Sequence, residues 1–269
     1  MTASKNTITL LTDFGLRDAY LGCMKGVLLS INPSLNIIDI SHEVPKFNVK
    51  YAALILAQAA QFFPKGTVHM AIVDPSVGTR RRMLIVETKN YFFVGPDNGV
   101  LSIAAIRDGV RQAFQIDERR VGLERGSRTF AARDIFAPIA ARITCGVPPK
   151  DLGRTITGFH GLTIGGPRSS GGRIVGEVLL IDSFGNIVTN IDCSSLKGVK
   201  FDQCILVKVG SEDLRIPFVR TYGEVKEGEA LALIGSSGLL EIGMNRGSMS
   251  GRLSSAKEGT RVAVERTPR

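Results

Sequence analysis

A carboxylate and a guanidinium seven residues apart occupy the stretch Ile72–Arg82, which reads IVDPSVGTRRR. Asp74 ends the apolar run Val68–Val73, and Pro75 stops that strand because proline has no N–H for the ladder. Ligands of open α/β sheets bind beyond the carboxyl ends of the strands. Asp74 facing Arg81 is therefore a candidate reaction centre. The alternative is a surface β-turn closed by a salt bridge.

Other polar side chains stand at the ends of apolar runs or in loops that contain glycine. Each of them taken singly is more often a turn residue or a helix cap. Because they occur in both halves of the chain, they predict a cleft shared by two domains, a common place for ligands. The set comprises Asp13, Asp74 with Arg81, Asp97, Asn98, Arg133, Asp134, Asp182, Asn186, Ser236 and Ser237.

Short motifs of familiar enzyme classes give no support to cofactor or triad chemistry. Asp13-Phe14-Gly15 matches the kinase DFG triplet, but no HRD loop and no glycine-rich loop accompany it. The sequence contains no GxGxxG, GxxxxGK, HExxH or GxSxG. Four widely spaced cysteines and three histidines do not form a zinc motif, so we expect no metal.

Charge and hydropathy restrict the partners. The 269 residues carry a net charge of +9, which favours an anionic partner or serves solubility. No basic motif interleaved with aromatic residues is present, which argues against nucleic acid but leaves a nucleic-acid-binding barrel as an alternative. No apolar run approaches the roughly 18 residues of a membrane span, and the N-terminus does not resemble a signal peptide. We therefore expect a cytoplasmic protein with no membrane partner.

The first half of the chain alternates strand-like runs and amphipathic stripes. This order, β-α-β-α-β, is typical of a parallel sheet covered by helices. A further helix is predicted over Ile135–Ile143 with Asp134 as its cap. The earlier predicted elements are Thr7–Thr12, a helix Asp18–Ile31 capped by Asp18, a buried strand Asn36–Ile40, a helix Val49–Phe62 and the strand Val68–Val73.

A segment with six glycines, Gly158–Gly172, predicts the domain boundary. Only β-type runs separated by Gly, Asn and Asp follow it, which is the pattern of a small barrel or sandwich. We therefore predict an N-terminal α/β domain over residues 1–159, a glycine-rich linker over 160–171 and an all-β domain over 172–269.

Seven blocks taken in order resemble the S-adenosylmethionine (SAM) hydrolase (adenosine-forming) family, also called the SAM hydroxide adenosyltransferases, which are related to the fluorinase and the chlorinase. They cover nearly the whole chain. The blocks are TDFGLRDAYLGCMKG (12–26), DISHEVPKF (39–47), FPKGTVHMAIVDPSVGTRRR (63–82), FVGPDNGVLS (93–102), RTFAARDIFAPIAA (128–141), IDSFGNIVTNI (181–191) and LIGSSGLLEI (233–242).

The resemblance implies an α/β domain followed by a β-barrel. It also implies a homotrimer whose active sites lie between the N-terminal domain of one subunit and the barrel of the next. SAM is the small-molecule substrate and no cofactor or metal is implied. Water or hydroxide attacks ribose C5′ and methionine leaves from the sulfonium.

The same resemblance implies roles for individual residues. In the family, an Asp–Arg–His set organises the water. Ordinary packing remains the alternative for Phe47 and Tyr222, and a turn role remains the alternative for Asp182. The implied positions are Asp74 and Arg81 in the water-organising set, Asp13 at the ribose diol, Phe47 and Tyr222 near the adenine-sandwiching positions, Asn186 at adenine, and Asp182, Ser236 and Ser237 at the methionine amine and carboxylate.

One departure affects the catalytic set. The family pattern reads about TFHGRD where residues 129–134 of this chain read TFAARD, so Ala131 stands at the position of the histidine. The change marks either a diverged member or introduced substitutions. The sequence predicts an impaired SAM hydrolase, and a non-catalytic protein that binds SAM or adenosine is the alternative.

Overall fold

The computed structural model describes residues 6–123, 126–170 and 172–265. The chain divides into two compact units, Met1–Leu162 and Thr163–Arg269. Three of the predicted domain limits, residues 1, 171 and 269, lie outside the described residues. The limits at residues 159, 160 and 172 remain predictions.

The first unit contains seven strands and five α-helices among its described residues. None of the helices in the described ranges is long and apolar enough to cross a bilayer. In chain order the elements are β1 (Thr7–Thr12), α1 (Tyr20–Ile31), β2 (Asn36–Ser41), α2 (Val49–Ala59), a 3₁₀ turn (Ala60–Phe62), β3 (Val68–Ile72), β4 (Met83–Thr88), β5 (Phe92–Pro96), α3 (Ser102–Asp108), β6 (Val110–Ile116), a π-helical turn (Ala132–Phe136), α4 (Ala137–Thr144), α5 (Pro149–Leu152) and β7 (Gly153–Ile156).

The seven strands form one mixed sheet in the order β2-β1-β3-β5-β4-β6-β7. β1 pairs in parallel with β2 and β3, and β3 pairs in parallel with β5. The predicted parallel sheet with covering helices is therefore confirmed for these four strands. The remaining pairings, β5–β4, β4–β6 and β6–β7, are antiparallel, and of these only β4 and β5 are joined by a short hairpin connection.

The two faces of the sheet are buried under different helices. Side chains alternate along a strand, so Ile8 and Leu10 of β1 join the core formed with α1 and α4. Thr9, on the opposite face of the same strand, lies against His69 of β3. β2 is the edge strand and is only partly buried, which corrects the predicted buried strand at Asn36–Ile40.

Two predicted helix starts are wrong. Helix α1 begins at Tyr20, its N-cap is Ala19, and no side-chain cap bond is made, so Asp18 is not the cap. The later helix begins before Ile135, in the π-helical turn. Asp134 does not cap it, because its carboxylate binds Arg133 and the N–H of Ser127 instead.

The second unit is an all-β barrel, as the family resemblance implied. The described strands of the ring run β10-β14-β13-β12-β11-β15-β9, and β9 pairs with β10 to close it. β8 pairs with β9 outside the ring and lies in the segment predicted as linker. The elements are β8 (Arg168–Ser170), β9 (Arg173–Ile181), β10 (Ile187–Asp192), 3₁₀ turns (Cys193–Leu196 and Tyr222–Glu224), β11 (Gln203–Val209), β12 (Glu212–Phe218), β13 (Ala230–Ile234), β14 (Leu239–Met244), α6 (Met249–Arg252) and β15 (Arg261–Glu265).

The imidazole of His69 is enclosed by the first unit. Its Nδ1 lies 2.7 Å from Thr9 Oγ1, and its ring stacks on Phe93 with the centroids 5.1 Å apart. Burial lowers the pKa of His69 to about 3, although the carboxylate of Asp108 acts in the opposite direction. The folded protein therefore holds this histidine neutral.

We predict that this histidine makes folding sensitive to acid. Below an ordinary pKa of 6.5 the unfolded chain binds a proton that the folded chain does not bind until about pH 3, so stability falls as the pH falls through this window. At pH 5 the loss from this group is about 2 kcal/mol, at about 1.4 kcal/mol per pKa unit. Urea unfolding at pH 7 and pH 5 measures it.

The variant His69→Gln should lose this part of the pH dependence. Thr9→Val is the matched control, because it removes the hydrogen bond but retains the imidazole, and it should keep the dependence while lowering stability at both pH values. Equal pH dependence in the wild type and in His69→Gln would contradict the assignment.

Candidate functional site

The parallel pairing of β1 with β3 places two carboxylates at one edge of the sheet. Thr12 is directly opposite Ile72 in the register. Asp13 follows the first strand and Asp74 follows the second by two residues, and both line a cavity of about 370 Å³. Of the sequence-predicted residues, Phe47 and Ala131 line the same cavity. The first unit thus brings together four of its predicted site residues.

Arg81 holds Asp74 in position from behind the cavity. Its Nε donates to Asp74 Oδ2 at 2.5 Å, and its Nη2 also contacts this oxygen. The other carboxylate oxygen accepts the N–H and the hydroxyl of Ser76 at 3.3 and 3.1 Å. The side chains of Arg81 and Asp74 are only 9% and 6% exposed. The pair is therefore buried, unlike a salt bridge on a surface turn.

This arrangement suits the activation of water. A carboxylate with a fixed orientation at a cavity can accept a proton from a water molecule as a general base. The adjacent guanidinium supplies hydrogen-bond donors close to developing negative charge. Phe136 covers the guanidinium, with its ring centroid 5.8 Å from Arg81 Cζ, and so limits access of bulk water to the pair.

Asp13 is fixed by the loop that follows β2. Its Oδ2 accepts the N–H of Phe47 at 2.9 Å, and its carbonyl oxygen accepts a bond from Lys46 Nζ. Only 6% of Asp13 is exposed. A buried carboxylate held from the backbone side is a rigid acceptor for ligand hydroxyls.

Phe47 adopts a backbone conformation that its side chain disfavours. Its φ is +66°, in the left-handed region, which costs a residue with a Cβ roughly 1–2 kcal/mol. The bond from its N–H to Asp13 compensates part of this cost, and its ring is 67% exposed at the cavity. Strained residues of this kind concentrate at ligand sites. This feature was not visible in the sequence, because no motif signals a positive φ at a phenylalanine.

The cavity wall at Ala131 carries methyl groups. Ala131 and Ala132 are each 3% exposed at the start of the π-helical turn. An alanine side chain can neither give nor take a proton. The described residues that line this cavity include no histidine, and His42 instead lies 2.8 Å from the hydroxyl of Thr12.

Three aromatic rings that sequence reasoning missed form another wall. Phe14, Tyr20 and Phe130 contact each other with centroids 5.2 to 6.3 Å apart, and all three line the cavity. Phe14 and Tyr20 are six residues apart around the start of α1, and Phe130 comes from a distant part of the chain. The sequence contains no periodic signal that would join them.

Four of the predicted polar residues serve the fold instead of the cavity. Asp97 binds Arg82 and accepts the N–H of His160, and Asn98 donates to the carbonyl of Val73. Arg133 and Asp134 bind each other, with 2.6 Å between Nε and Oδ1. Burial acts to raise the pKa of Asp134, but bonds from Arg133 and a backbone N–H lower it overall.

The barrel unit has a cavity of its own, of about 820 Å³. Asp182, Asn186, Tyr222 and Ser236 line it. Ser237 is not among the lining residues, and its buried hydroxyl has no hydrogen-bond partner within the described part of the chain. Four of the five site residues predicted in this unit therefore share one cavity.

Asp182 and Asn186 build the turn between β9 and β10. Asp182 Oδ1 accepts the N–H groups of Phe184 and Asn186, both at 2.9 Å. Its Oδ2 accepts Nδ2 of Asn186, also at 2.9 Å. The turn role considered for Asp182 is therefore real, and the same turn presents both side chains to the cavity.

Glu241 is a carboxylate of this cavity that sequence reasoning missed. It accepts the hydroxyl of Tyr222 at 3.3 Å. Burial raises the pKa of Glu241, and burial with the nearby carboxylates raises the pKa of Tyr222 to about 12. A Cβ at Gly235 would lie 1.7 Å from Glu241 Oε1, so the glycine leaves the carboxylate its space. The sequence signal that could have identified Glu241 is its position as a single acidic residue within the apolar strand β14.

The described residues were also compared with the side-chain groupings that hold metal ions in proteins. Across residues 6–123, 126–170 and 172–265, no three or more His, Cys, Asp or Glu side chains are grouped so that they could hold a metal ion.

Comparison with known proteins identifies the family. Residues 8–153 match the SAM hydroxide adenosyltransferase N-terminal domain, and residues 176–262 match the C-terminal domain. The chain belongs to the SAM hydroxide adenosyltransferase family. The family-level resemblance seen in the sequence is thereby confirmed.

Individual relatives match over most of their length. A Thermus thermophilus protein named (R)-S-adenosyl-L-methionine hydrolase is 37% identical over 96% of this chain and 98% of its own. A Methanocaldococcus jannaschii protein of the same name is 36% identical, over 87% of each chain. The crystal structure of a conserved Thermotoga maritima protein is 39% identical, with a TM-score of 0.91 over 96% of this chain and 100% of that one.

We predict that Phe47 is strained and that the strain can be separated from the role of its ring. Phe47→Gly should be more stable than Phe47→Ala by about 1 kcal/mol, because only glycine adopts this φ freely. Denaturant unfolding measures the difference. Both variants lose the ring and should lose the same adenosine affinity in calorimetry. Equal stability of the two variants would contradict the strain.

Proposed function

We propose that this protein hydrolyses SAM to adenosine and L-methionine. The observation that carries the proposal is the buried Asp74–Arg81 pair beside Asp13 at the 370 Å³ cavity. It is supported by the family and by relatives named as hydrolases of (R)-S-adenosyl-L-methionine.

The proposed step balances without a cofactor or metal. A water oxygen bonds to ribose C5′ as the C5′–S bond breaks, and the electron pair of that bond stays on sulfur as the neutral thioether of methionine. Asp74 accepts the proton from water and returns it to solvent. Because the sulfonium is already a good leaving group, the protein must mainly orient and desolvate the oxygen nucleophile.

The remaining residues are assigned to the substrate in two groups. In the first unit, Asp13 accepts the ribose hydroxyls and Phe47 contacts adenine. In the barrel, Tyr222 and Asn186 also contact adenine. The methionine amine and carboxylate are assigned to Asp182, Ser236 and Ser237.

We further propose that the (R) configuration at sulfur is the preferred substrate, following the names of the two relatives. A chiral sulfonium presents its methyl group to a different wall in each epimer. Chromatography of adenosine released from separated epimers tests the preference.

The catalytic prediction concerns Ala131. Since Ala131 lines the cavity, a histidine there would be part of the cavity wall. We expect slow release of adenosine and methionine by the wild type and a kcat about 10²-fold or more higher for Ala131→His, because one positioned acid–base group contributes about 10²–10⁴-fold. Asp74→Asn should lose most of the remaining rate. Chromatography of both products measures it.

Asp97→Asn is the matched control. It alters a carboxylate bound to Arg82 that does not line the cavity, so the rate should be retained. If neither the wild type nor Ala131→His forms adenosine although both bind it, the protein is a binding protein and the hydrolase proposal fails.

We also propose a homotrimer in which each site combines the first unit of one subunit with the barrel of the next. Light scattering should give three times the mass of one chain. Asp74→Ala and Asn186→Ala subunits should each be less active alone than the wild type and should regain activity when refolded together, because some sites in mixed trimers contain neither change. No recovery in demonstrably mixed trimers would refute a site shared between subunits.

A further inference from the structure

A buried histidine outside the proposed catalytic set joins two loops beside Asp13. His42 is 4% exposed and follows β2 directly. Its Nδ1 lies 2.8 Å from Thr12 Oγ1, and its Nε2 lies 3.2 Å from Asp39 Oδ1. Lys25 donates to the other oxygen of Asp39 at 2.6 Å.

The series of groups Asp39, His42 and Thr12 has one consistent assignment of donors and acceptors when the imidazole is neutral. The carboxylate of Asp39 favours a proton on the near nitrogen, Nε2, which leaves Nδ1 as an acceptor. The hydroxyl of Thr12 then donates to Nδ1, and its oxygen accepts the N–H of Phe14 at 3.2 Å. His42 and Thr12 thereby orient each other and the backbone immediately after Asp13, whereas Asp39 acts on the imidazole through its charge at 3.2 Å and not through a well-aligned hydrogen bond.

Asp39, at one end of this series of groups, has a carboxylate that stays ionised. Burial acts to raise the pKa of Asp39, but hydrogen bonds from Lys25 and His42 outweigh burial, and the pKa is lowered. Asp39 therefore remains an anionic partner for the imidazole around neutral pH.

Four links connect residues 12–15 with residues 42–47. Two involve His42: the ring contact with Thr12 and the bond from Gly15 N–H to the His42 carbonyl at 2.8 Å. The other two are the bonds that Asp13 accepts from Lys46 and from the N–H of Phe47. The side chain of Asp13 thus lies in a clamp with His42 at one end and Phe47 at the other.

We propose that His42, acting through Thr12, is a positioning residue that holds Asp13 in the geometry for ligand binding. The inference rests on the proposed function for the ligand, a ribose diol, but not for the clamp itself. His42 does not line the cavity and takes no part in the chemical step.

The same strand contains a natural control. Thr9 of β1 makes an equally buried bond to a histidine, His69, at 2.7 Å. It lies three residues before Thr12, and its histidine contacts aromatic rings instead of a cavity loop. Removing either hydroxyl costs a buried Thr–His bond, but only Thr12 adjoins the clamp.

The experiment compares Thr12→Val, His42→Ala and His42→Asn with Thr9→Val. We expect adenosine to bind about tenfold more weakly to Thr12→Val and His42→Ala, which is the loss of about one hydrogen bond. His42→Asn should recover part of this loss, since its amide can bond to Thr12. Thr9→Val should lose stability but bind adenosine like the wild type. Titration calorimetry and thermal unfolding measure both quantities.

Hydrogen exchange adds a measurement that needs no ligand. In His42→Ala the amides of Phe14 and Gly15 should exchange faster, although their own acceptors, Thr12 Oγ1 and the backbone carbonyl of residue 42, are still present. Thr9→Val should leave both amides as protected as in the wild type. A merely structural role would instead accelerate exchange throughout the sheet in both variants.

The outcomes separate the two proposals. Wild-type affinity and wild-type exchange in folded His42→Ala would overturn the positioning role. Absence of adenosine and SAM binding by the wild type would overturn the proposed function. In that case the exchange of Phe14 and Gly15 alone decides whether His42 holds the loop of Asp13.

Discussion

The parallel register between β1 and β3 is the constraint on which the first cavity depends. Parallel strands end at the same edge of a sheet, so pairing Thr12 with Ile72 brings Asp13 and Asp74 to one place although 60 residues separate them in the chain. A slip by one residue would turn the side chains of one strand to the opposite face. The buried residues on both faces of β1 oppose such a slip, so the packing of the core also sets the spacing of the two carboxylates.

Burial fixes the orientation of the Asp74–Arg81 pair but carries a cost in desolvation free energy. Removing two charges from water is costly, and a good geometry with further hydrogen bonds is needed to offset it. Arg81 and Ser76 supply those bonds, which leaves the carboxylate oriented at the cavity with little freedom to move. Asp13 is restrained in the same way by neighbouring backbone, at the expense of strain at Phe47. Both carboxylates are thus preorganised before any ligand arrives.

In the barrel, a short turn and a glycine fix the positions of polar side chains at the cavity. Asp182 closes the β9–β10 turn and presents Asn186, while Gly235 leaves room for Glu241. Ala131 in the first unit is the contrast, because its surroundings are buried and ordered but its side chain has no polar atom. The family resemblance implied a histidine at this position, and that assignment stays a prediction.

The sequence by itself determined the fold class, the family and several of the polar residues that line the two cavities, because hydrophobic periodicity and ordered blocks are local properties. The helix starts at Asp18 and Asp134 were predicted wrongly: Ala19 precedes α1 without any side-chain cap, and the carboxylate of Asp134 binds Arg133 and the N–H of Ser127. Only the tertiary structure decided which polar residues meet. Asp97 and Asn98 hydrogen-bond to Arg82 and to the carbonyl of Val73, away from the cavity. Glu241 lines the barrel cavity, and the rings of Phe14, Tyr20 and Phe130 line the cavity of the first unit. His42 contacts Thr12 next to that cavity. Such encounters depend on strand register and loop conformation, which bring together residues that share no local pattern.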